Sequence, residues 1–322
     1  MQILLTGMAG FVGFHTTKAL LARGHSIIGV DEMNDYYAPV LKEARLVELG
    51  GHRVDFVRGD ISDPRTLETA ARGRNFDVVV HLAAQAGVRY AVENPRAYVR
   101  SNLAGHHNVL EFARRHTPNL LVYASSSSVY GNDTKPPFSE DARADRPVSF
   151  YGATKRSCEL MSHSYAEIFG LKQIGLRFFT VYGPWGRPDM AYWSFTDAIT
   201  QGRTLPVFGE GKLRRDFTYV DDIVDTLVKI VESPFPVAHG TPHRVYNLGN
   251  SHPESVLDLI AHIERTTNLK AKLKFEDGPP GDVRETYADI SRAAADYGFA
   301  PKVSLEEGIS RFVSWFRRYH RV

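Results

Sequence analysis

Gly7-Met8-Ala9-Gly10-Phe11-Val12-Gly13 follows the short apolar run Met1 to Thr6 and opens a stretch, Phe11 to Arg23, whose helical periodicity stops at Gly24. The order is strand, glycine turn, helix. Gly7 permits the tight turn, Gly10 lets backbone amides approach a pyrophosphate at the helix N-terminus, and Gly13 lets helix and strand pack closely. The spacing is GxxGxxG rather than GxGxxG, so the same three tasks fall at slightly different positions. Ala9, Phe11 and Val12 lie in the same turn and join the candidate cofactor contacts. Glycines alone carry little weight, because many turns contain them. Their context carries more: Ser26 to Val30 reads as a second strand, and Asp31 stands at its end, about 20 residues beyond the motif. A carboxylate there accepts hydrogen bonds from adenosine ribose hydroxyls and repels a 2′-phosphate, which predicts NAD rather than NADP. Asn34, close behind it, belongs to the same pocket.

Working outward, the alternation continues. Val54 to Arg58 is a strand that delivers Asp60 and Ile61 at its end, where the aspartate meets the adenine amino group. Asp77 to Leu82 is a near-continuous apolar strand, as expected when both sheet faces are covered. It leads into the loop Ala83-Ala84-Gln85-Ala86, and Pro95 to His116 reads as one long helix. Leu120 to Ala124 is a further strand with Ser125-Ser126-Ser127-Ser128 at its carboxyl end, the rim where open parallel sheets bind ligands. Ile174 to Phe179 is another. The expected fold is α/β: a Rossmann-like doubly wound parallel sheet with a smaller C-terminal α/β lobe that binds substrate. Residues 1–179 form the NAD-binding domain, rejoined by roughly 217–250, and 180–216 with 251–322 form the interleaved lobe. There is no internal repeat.

The totals narrow the function classes. Across 322 residues, 43% hydrophobic and 24% charged content describe an ordinary globular chain, and a formal net charge of only +2 leaves no basic stripe for nucleic acid. The single cysteine, Cys158, excludes an internal disulfide and a cysteine-based metal site, and is expected to pack as a small apolar residue. Met1 leads directly into a strand rather than a signal peptide, and no apolar run reaches the eighteen or so residues of a membrane span. A cytoplasmic protein without metal is the expectation.

Chemistry enters with Tyr151-Gly-Ala-Thr-Lys155. A spacing of four on a helix puts phenol and ammonium on one face. A free phenol titrates near about 10 and is a poor base at neutral pH, but a nearby ammonium favours the phenolate. Such a pair can take a proton from an alcohol while a hydride leaves the same carbon. The same spacing is also a common surface pair; the serine-rich rim and the glycine turn favour chemistry.

Gly7/Gly10/Gly13, Asp31, Asp60-Ile61, Leu82-Ala83-Ala84, Ser127-Ser128-Val129-Tyr130-Gly131, Tyr151-x-x-x-Lys155 and Arg215-Asp216-Phe217 together resemble the extended short-chain dehydrogenase/reductases that act on nucleotide sugars. Within them the chain is most similar to the UDP-glucuronate 4-epimerases, through Gln85 to Tyr90, Ala124 to Gly131 and Arg177 to Met190. The resemblance implies that Tyr151 removes the 4-hydroxyl proton, that Lys155 holds the nicotinamide ribose, and that Ser126 hydrogen-bonds the reacting oxygen. Hydride returns to the other face after the 4-keto sugar rotates, so NAD stays tightly bound and is regenerated in each cycle. Ser127, Ser128, Thr180, Arg89 and Arg187 are the candidate sugar and carboxylate contacts, Arg215 the diphosphate grip, and Val207-Phe208 the uracil pocket. A carboxylate beside an oxidised C4 is prone to loss as carbon dioxide, so charge-assisted donors should pin it.

Departures and rivals follow from the same strings. Galactose-type epimerases carry an arginine before Pro280-Gly281-Asp282, whereas this chain has Gly278-Pro279, leaving Arg284 as a substitute. Sugar 4,6-dehydratases place Asp and Glu where Ser127 and Ser128 stand, and decarboxylating relatives place Glu at the second of these positions, so both reactions lose their acid. A 4-epimerase of a neutral UDP-hexose, UDP-glucose or UDP-N-acetylglucosamine, is the alternative, and a non-catalytic NAD-binding protein a remote one. The helices Pro95 to His116 and Tyr151 to Phe169 resemble the pair that builds a homodimer interface in relatives.

Overall fold

The computed structural model describes residues 1–50, 54–132, 134–236, 240–277 and 285–322. Along the chain run β1 (Gln2–Thr6), α1 (Phe11–Ala22), β2 (Ser26–Asp31), α2 (Pro39–Glu48), β3 (Val54–Arg58), α3 (Pro64–Ala71) and β4 (Val78–His81). The short α4 (Tyr90–Glu93) and α5 (Pro95–Tyr98), then α6 (Gly105–His116), β5 (Leu120–Ser126), α7 (Phe150–Phe169) and β6 (Gln173–Phe178) follow. Next come β7 (Thr180–Tyr182), α8 (Ala191–Thr200), β8 (Thr204–Phe208), β9 (Arg214–Tyr219), α9 (Val220–Glu232) and β10 (His243–Leu248). The chain closes with β11 (Pro253–Ser255), α10 (Val256–Thr267), β12 (Lys272–Glu276), β13 (Glu285–Thr286), α11 (Ser291–Tyr297) and α12 (Leu305–His320).

Seven strands pair in the order β10-β6-β5-β4-β1-β2-β3, and every pairing in that sheet is parallel. Both faces are covered. Ile3, Leu5, Val78, Val80 and Val122 enter one core with α1 and α9, whereas Leu4, Ile28, Val79 and Leu121 enter a second with α3 and α6. Consecutive residues of β1 and β4 thus face opposite cores, which is why these strands are apolar without alternation. In register, Thr6 pairs with Val30 and with His81, so the ends of β2, β1 and β4 form one rim.

The remaining strands build the smaller lobe around β9, which pairs with β7 and β13 in parallel and with β11 in antiparallel register. Asp216 of β9 is wholly buried and accepts from the backbone amides of Asn250, Ser251 and Ala288 and from Thr218 Oγ1. Burial pushes its carboxyl up against the opposing pull of these donors. One acid therefore fixes two separate segments of the lobe to β9. A second small sheet, β8 with β12, is also parallel.

The stretch read as one helix from Pro95 to His116 is not continuous. After α5 the backbone widens into π-helical turns over Val99–Ala104 before α6 resumes. Gly105, at the rejoining point, lies against Ile61, where a side chain would not fit. Among the described residues no helix is long and apolar enough to cross a membrane. The expected contacts at Pro280-Gly281-Asp282 and Arg284 lie outside the described residues.

Candidate active site

The glycine turn after β1 is a cradle that side chains would fill. Gly7 has φ +78°, and a Cβ there would collide with the Leu82–Ala83 backbone; one on Gly13 would overlap the Gly7 carbonyl. At the start of α1, no side chain caps the helix and no acid occupies its first turn. Its amides are left for an anion. Asp31 closes the turn from the β2 end, accepting from Ala9 N at 3.1 Å and Met33 N at 2.9 Å. Leu82 N and Ala83 N are held on Thr6, by its carbonyl and its Oγ1 respectively. These features fit a dinucleotide with its pyrophosphate at the α1 N-terminus and its ribose by Asp31.

The adenosine side is more crowded. Asp60 accepts from Ser62 N at 2.8 Å and pairs with Arg100, which also reaches Glu32 at 3.2 Å. Burial and then the Asp60 charge push the Glu32 carboxyl up. Asn34 Oδ1 accepts from Lys42 Nζ at 2.6 Å. Ile61 has its side chain buried in the core, and its carbonyl accepts from Asn108.

On the same rim, β5 delivers Ser126, whose Oγ accepts from Ser128 N and donates to Ser128 Oγ, both at 3.2 Å. Ser127–Val129 then form one 3-10 turn. α7 starts under a Ser149 cap whose Oγ accepts from Gly152 N at 3.0 Å. Gly152 lies against the Ser128 carbonyl, leaving no room for a side chain, so the first turn of α7 docks on the serine turn. Lys155 is buried and donates to Ala124 O at 2.9 Å. Tyr151 is half-buried, its ring edge-on to Tyr98.

Several residues that complete this arrangement left no signal in the spacing. Asn102, in the π-helical stretch, accepts from Gln85 N at 2.8 Å and donates to Gln85 O and Thr154 Oγ1. It joins the loop after β4 to α7. Glu159, one turn beyond Lys155 on α7, accepts from Ser125 Oγ at 2.6 Å and from two Arg177 nitrogens at 2.8 Å each. Burial pulls the Glu159 carboxyl up, but the Arg177 guanidinium outweighs it and holds the net position below the ordinary value. Cys158 is buried on the same helix, its Sγ donating to Asn102 O, and burial pushes its thiol up to about 11. It is a packing residue, as expected.

The residues expected to meet the sugar come from the second lobe and from loops. Arg187 forms a forked pair with Asp189 at 3.0 and 2.5 Å, and Tyr36 OH donates to Asp189 at 3.1 Å. Burial alone would lower the Arg187 pKa; the Asp189 carboxylate raises it well above its usual position, with the Tyr36 and Tyr151 phenols adding to that. Tyr36, pushed up to about 12 by burial and then by Asp189, was not anticipated. Arg89 is exposed with its guanidinium 5.2 Å over the Phe208 ring. Thr180 opens β7, paired with Phe217, and Arg215 sits half-buried on β9 with one donor on Arg214 O. Strand alternation turns the Val207 side chain fully into the core, while Phe208 faces outward. Among the described residues no cluster of His, Cys, Asp and Glu could hold a metal.

A family model, the NAD dependent epimerase/dehydratase family, matches residues 3–249. The chain belongs to this family. UDP-glucuronate 4-epimerase 3 of Arabidopsis thaliana is 47% identical to it over 331 residues, covering 99% of this chain and 77% of the relative. Among epimerase/dehydratase structures, the Bacillus cereus UDP-glucuronic acid 4-epimerase, solved with UDP-glucuronic acid and NAD, superposes with a TM-score of 0.92 at 34% identity, covering 99% and 100% of the two chains. The Thermotoga maritima UDP-glucose 4-epimerase, solved with UDP-glucose, superposes with a TM-score of 0.88 at 30% identity over the same shares. As a family member the protein is an NAD-dependent enzyme.

Proposed function

We propose that the protein is a UDP-glucuronate 4-epimerase, interconverting UDP-glucuronate and UDP-galacturonate. The observation that carries this reading is a turn of three hydroxyls, Ser126 to Ser128, docked on the first turn of the helix that bears Tyr151 and Lys155. NAD, held by the glycine turn and Asp31, supplies the hydride acceptor and donor. Tyr151 takes the proton of the 4-hydroxyl and gives it back to the same oxygen after the 4-keto sugar has turned over. Lys155, fixed on Ala124 O, is assigned to the nicotinamide ribose and Ser126 to the reacting oxygen. No net oxidation results.

Oxidation at C4 makes a β-keto acid, and the enzyme must keep its carboxylate from leaving. Arg187, Thr180, Ser127 and Ser128 are the donors we assign to that group, and Arg215 to the diphosphate. Without a carboxylic acid at Ser127 or Ser128, the turn offers no general acid for dehydration or for the decarboxylated product. The test is incubation with UDP-glucuronate, UDP-glucose and UDP-N-acetylglucosamine, followed by proton NMR at C4. Turnover of UDP-glucuronate alone is expected; inversion of only the neutral sugars would establish the alternative reading.

The same proposal includes a homodimer, for which the apolar exposure of Val92, Val99, Leu160, Ile168 and Phe169 on α4 to α7 is the support. A light-scattering mass of twice the chain is expected. It also divides the chain into a cofactor unit, 1–179 with 217–250, and an interleaved sugar unit. We place the enzyme in the cytoplasm, where a lone buried thiol such as Cys158 stays reduced.

A further inference from the structure

Arg45, on α2, has no exposed surface and uses all five of its N–H groups. NH1 donates to Ala9 O at 2.8 Å and Tyr37 OH at 2.7 Å, NH2 to Trp185 O and Gly186 O at 2.7 Å each, and Nε to Trp185 O at 3.1 Å. None of these partners is a carboxylate. A buried cation without an anion is expensive to keep, so its retention calls for a geometric reason. Its fork reads two distant pieces of backbone at once. One is Ala9, in the glycine turn, whose own amide is fixed on Asp31. The other is the segment immediately before Arg187.

That segment is held from the cofactor side along three consecutive carbonyls. His15, on α1, meets Pro184 O at 2.8 Å, and burial pulls its pKa down to about 4, so at neutral pH it is an uncharged imidazole donating Nε2–H. Trp185 sits at φ +61°, a left-handed conformation rare for a bulky residue, with its ring against Phe14 and Trp315. Arg187 N then donates to Tyr192 OH at 3.2 Å, and its guanidinium meets Asp189. The carbonyls of residues 184 to 186 are thus held by side chains of α1 and α2, immediately before Arg187.

We infer that Arg45 is a positioning residue for the sugar carboxylate: it ties the dinucleotide turn to the backbone that presents Arg187, so that the grip is set from the cofactor domain. The inference rests on the reading of Arg187 as that grip. A lysine at position 45 keeps the charge but is a point donor with three N–H groups, and cannot bridge Ala9, Trp185 and Gly186 together.

The test compares UDP-glucuronate with UDP-xylose, the same pyranose without the carboxyl group, binding to NAD-loaded protein in a Tyr151→Phe background that stops turnover. The ratio of the two affinities reports the carboxylate grip. Arg45→Lys is expected to lower that ratio about tenfold, the scale of one charge-assisted contact, with UDP-xylose affinity unchanged within twofold. In the Tyr151 enzyme, Arg45→Lys should release more carbon dioxide per epimerisation. Equal weakening of both ligands would assign Arg45 a general structural role and overturn the proposal. A collapsed ratio in Arg187→Ala with an unmoved ratio in Arg45→Lys would overturn it while keeping the grip. An unmoved ratio in Arg187→Ala itself would remove the grip, and the proposal with it. Arg45→Met extends the series; should it not fold, the lysine variant carries the decision.

Discussion

Arg177 and Arg45 are both buried, and the molecule holds them in opposite ways. Arg177 forks onto Glu159, which also carries Ser125, so an ion pair lies directly beneath the serine turn. Arg45 meets only carbonyls and a phenol, and lies between the glycine turn and the Arg187 segment. In the first region, where we propose the chemistry, a charged pair inside the sheet is suited to rigidity. The second joins two units of the fold and selects geometry rather than charge balance. Loss of a partner should therefore destabilise the first region and misplace the second.

The sharpest cut between them is Tyr151→Phe. With both arginines intact, epimerisation should fall by about 10²- to 10⁴-fold, with thermal stability and UDP-glucuronate affinity little changed. A rate near the parent's would dismiss the phenolate. Next in size is Glu159→Ala, which strands the Arg177 charge: urea denaturation should show a loss of roughly 3–5 kcal/mol. A loss under about 1 kcal/mol would mean the two buried arginines are alike after all. Arg187→Ala should leave stability alone, raise KM for UDP-glucuronate roughly 10- to 100-fold, and release carbon dioxide. Unchanged epimerisation without gas release would take the carboxylate away from Arg187.

The smallest effect is a pH dependence. His15, buried at the Pro184 carbonyl, titrates in the fold at about 4 against 6.5 when unfolded. Between those values the unfolded chain holds a proton that the folded chain does not, so stability is complete above about 6.5 and declines as pH falls toward 4. His106, hydrogen-bonded to Ser162 and pulled down to about 3 by burial, acts in the same direction. Replacing His15 by Gln should remove from this slope a share on the order of 2 kcal/mol, seen as a flatter melting-temperature profile from pH 4 to 6.5. An unaltered slope would show that the imidazole is not what titrates.

The legible parts of the site were those written in continuous strings. The glycine turn, Asp31, the serines and Tyr151-x-x-x-Lys155 each announce local geometry, and a parallel sheet sends strand ends to one rim. Asn102, Glu159, Tyr36 and Arg45 act only through tertiary approach, so nothing beside them in sequence marks their partners. The break in Pro95 to His116 was invisible because π-helical turns preserve the look of a helical pattern while inserting Asn102 toward Gln85. The pair Val207-Phe208 does not show in the string that its two side chains part, one into the core and one outward, as adjacent strand residues must. The helices α2 and α3, each with proline in its first turn, passed unread between stronger apolar strands.

The order in which the strands are threaded has a consequence for how such an enzyme can change. β7, β8 and β9 are made before the chain returns to lay β10 on the edge of the central sheet, and the lobe is completed only afterwards. No single cut separates the small sheet around β9 from the central sheet. A new specificity cannot arrive by splicing in a foreign module; it must come one side chain at a time, on a frame whose two parts are woven together.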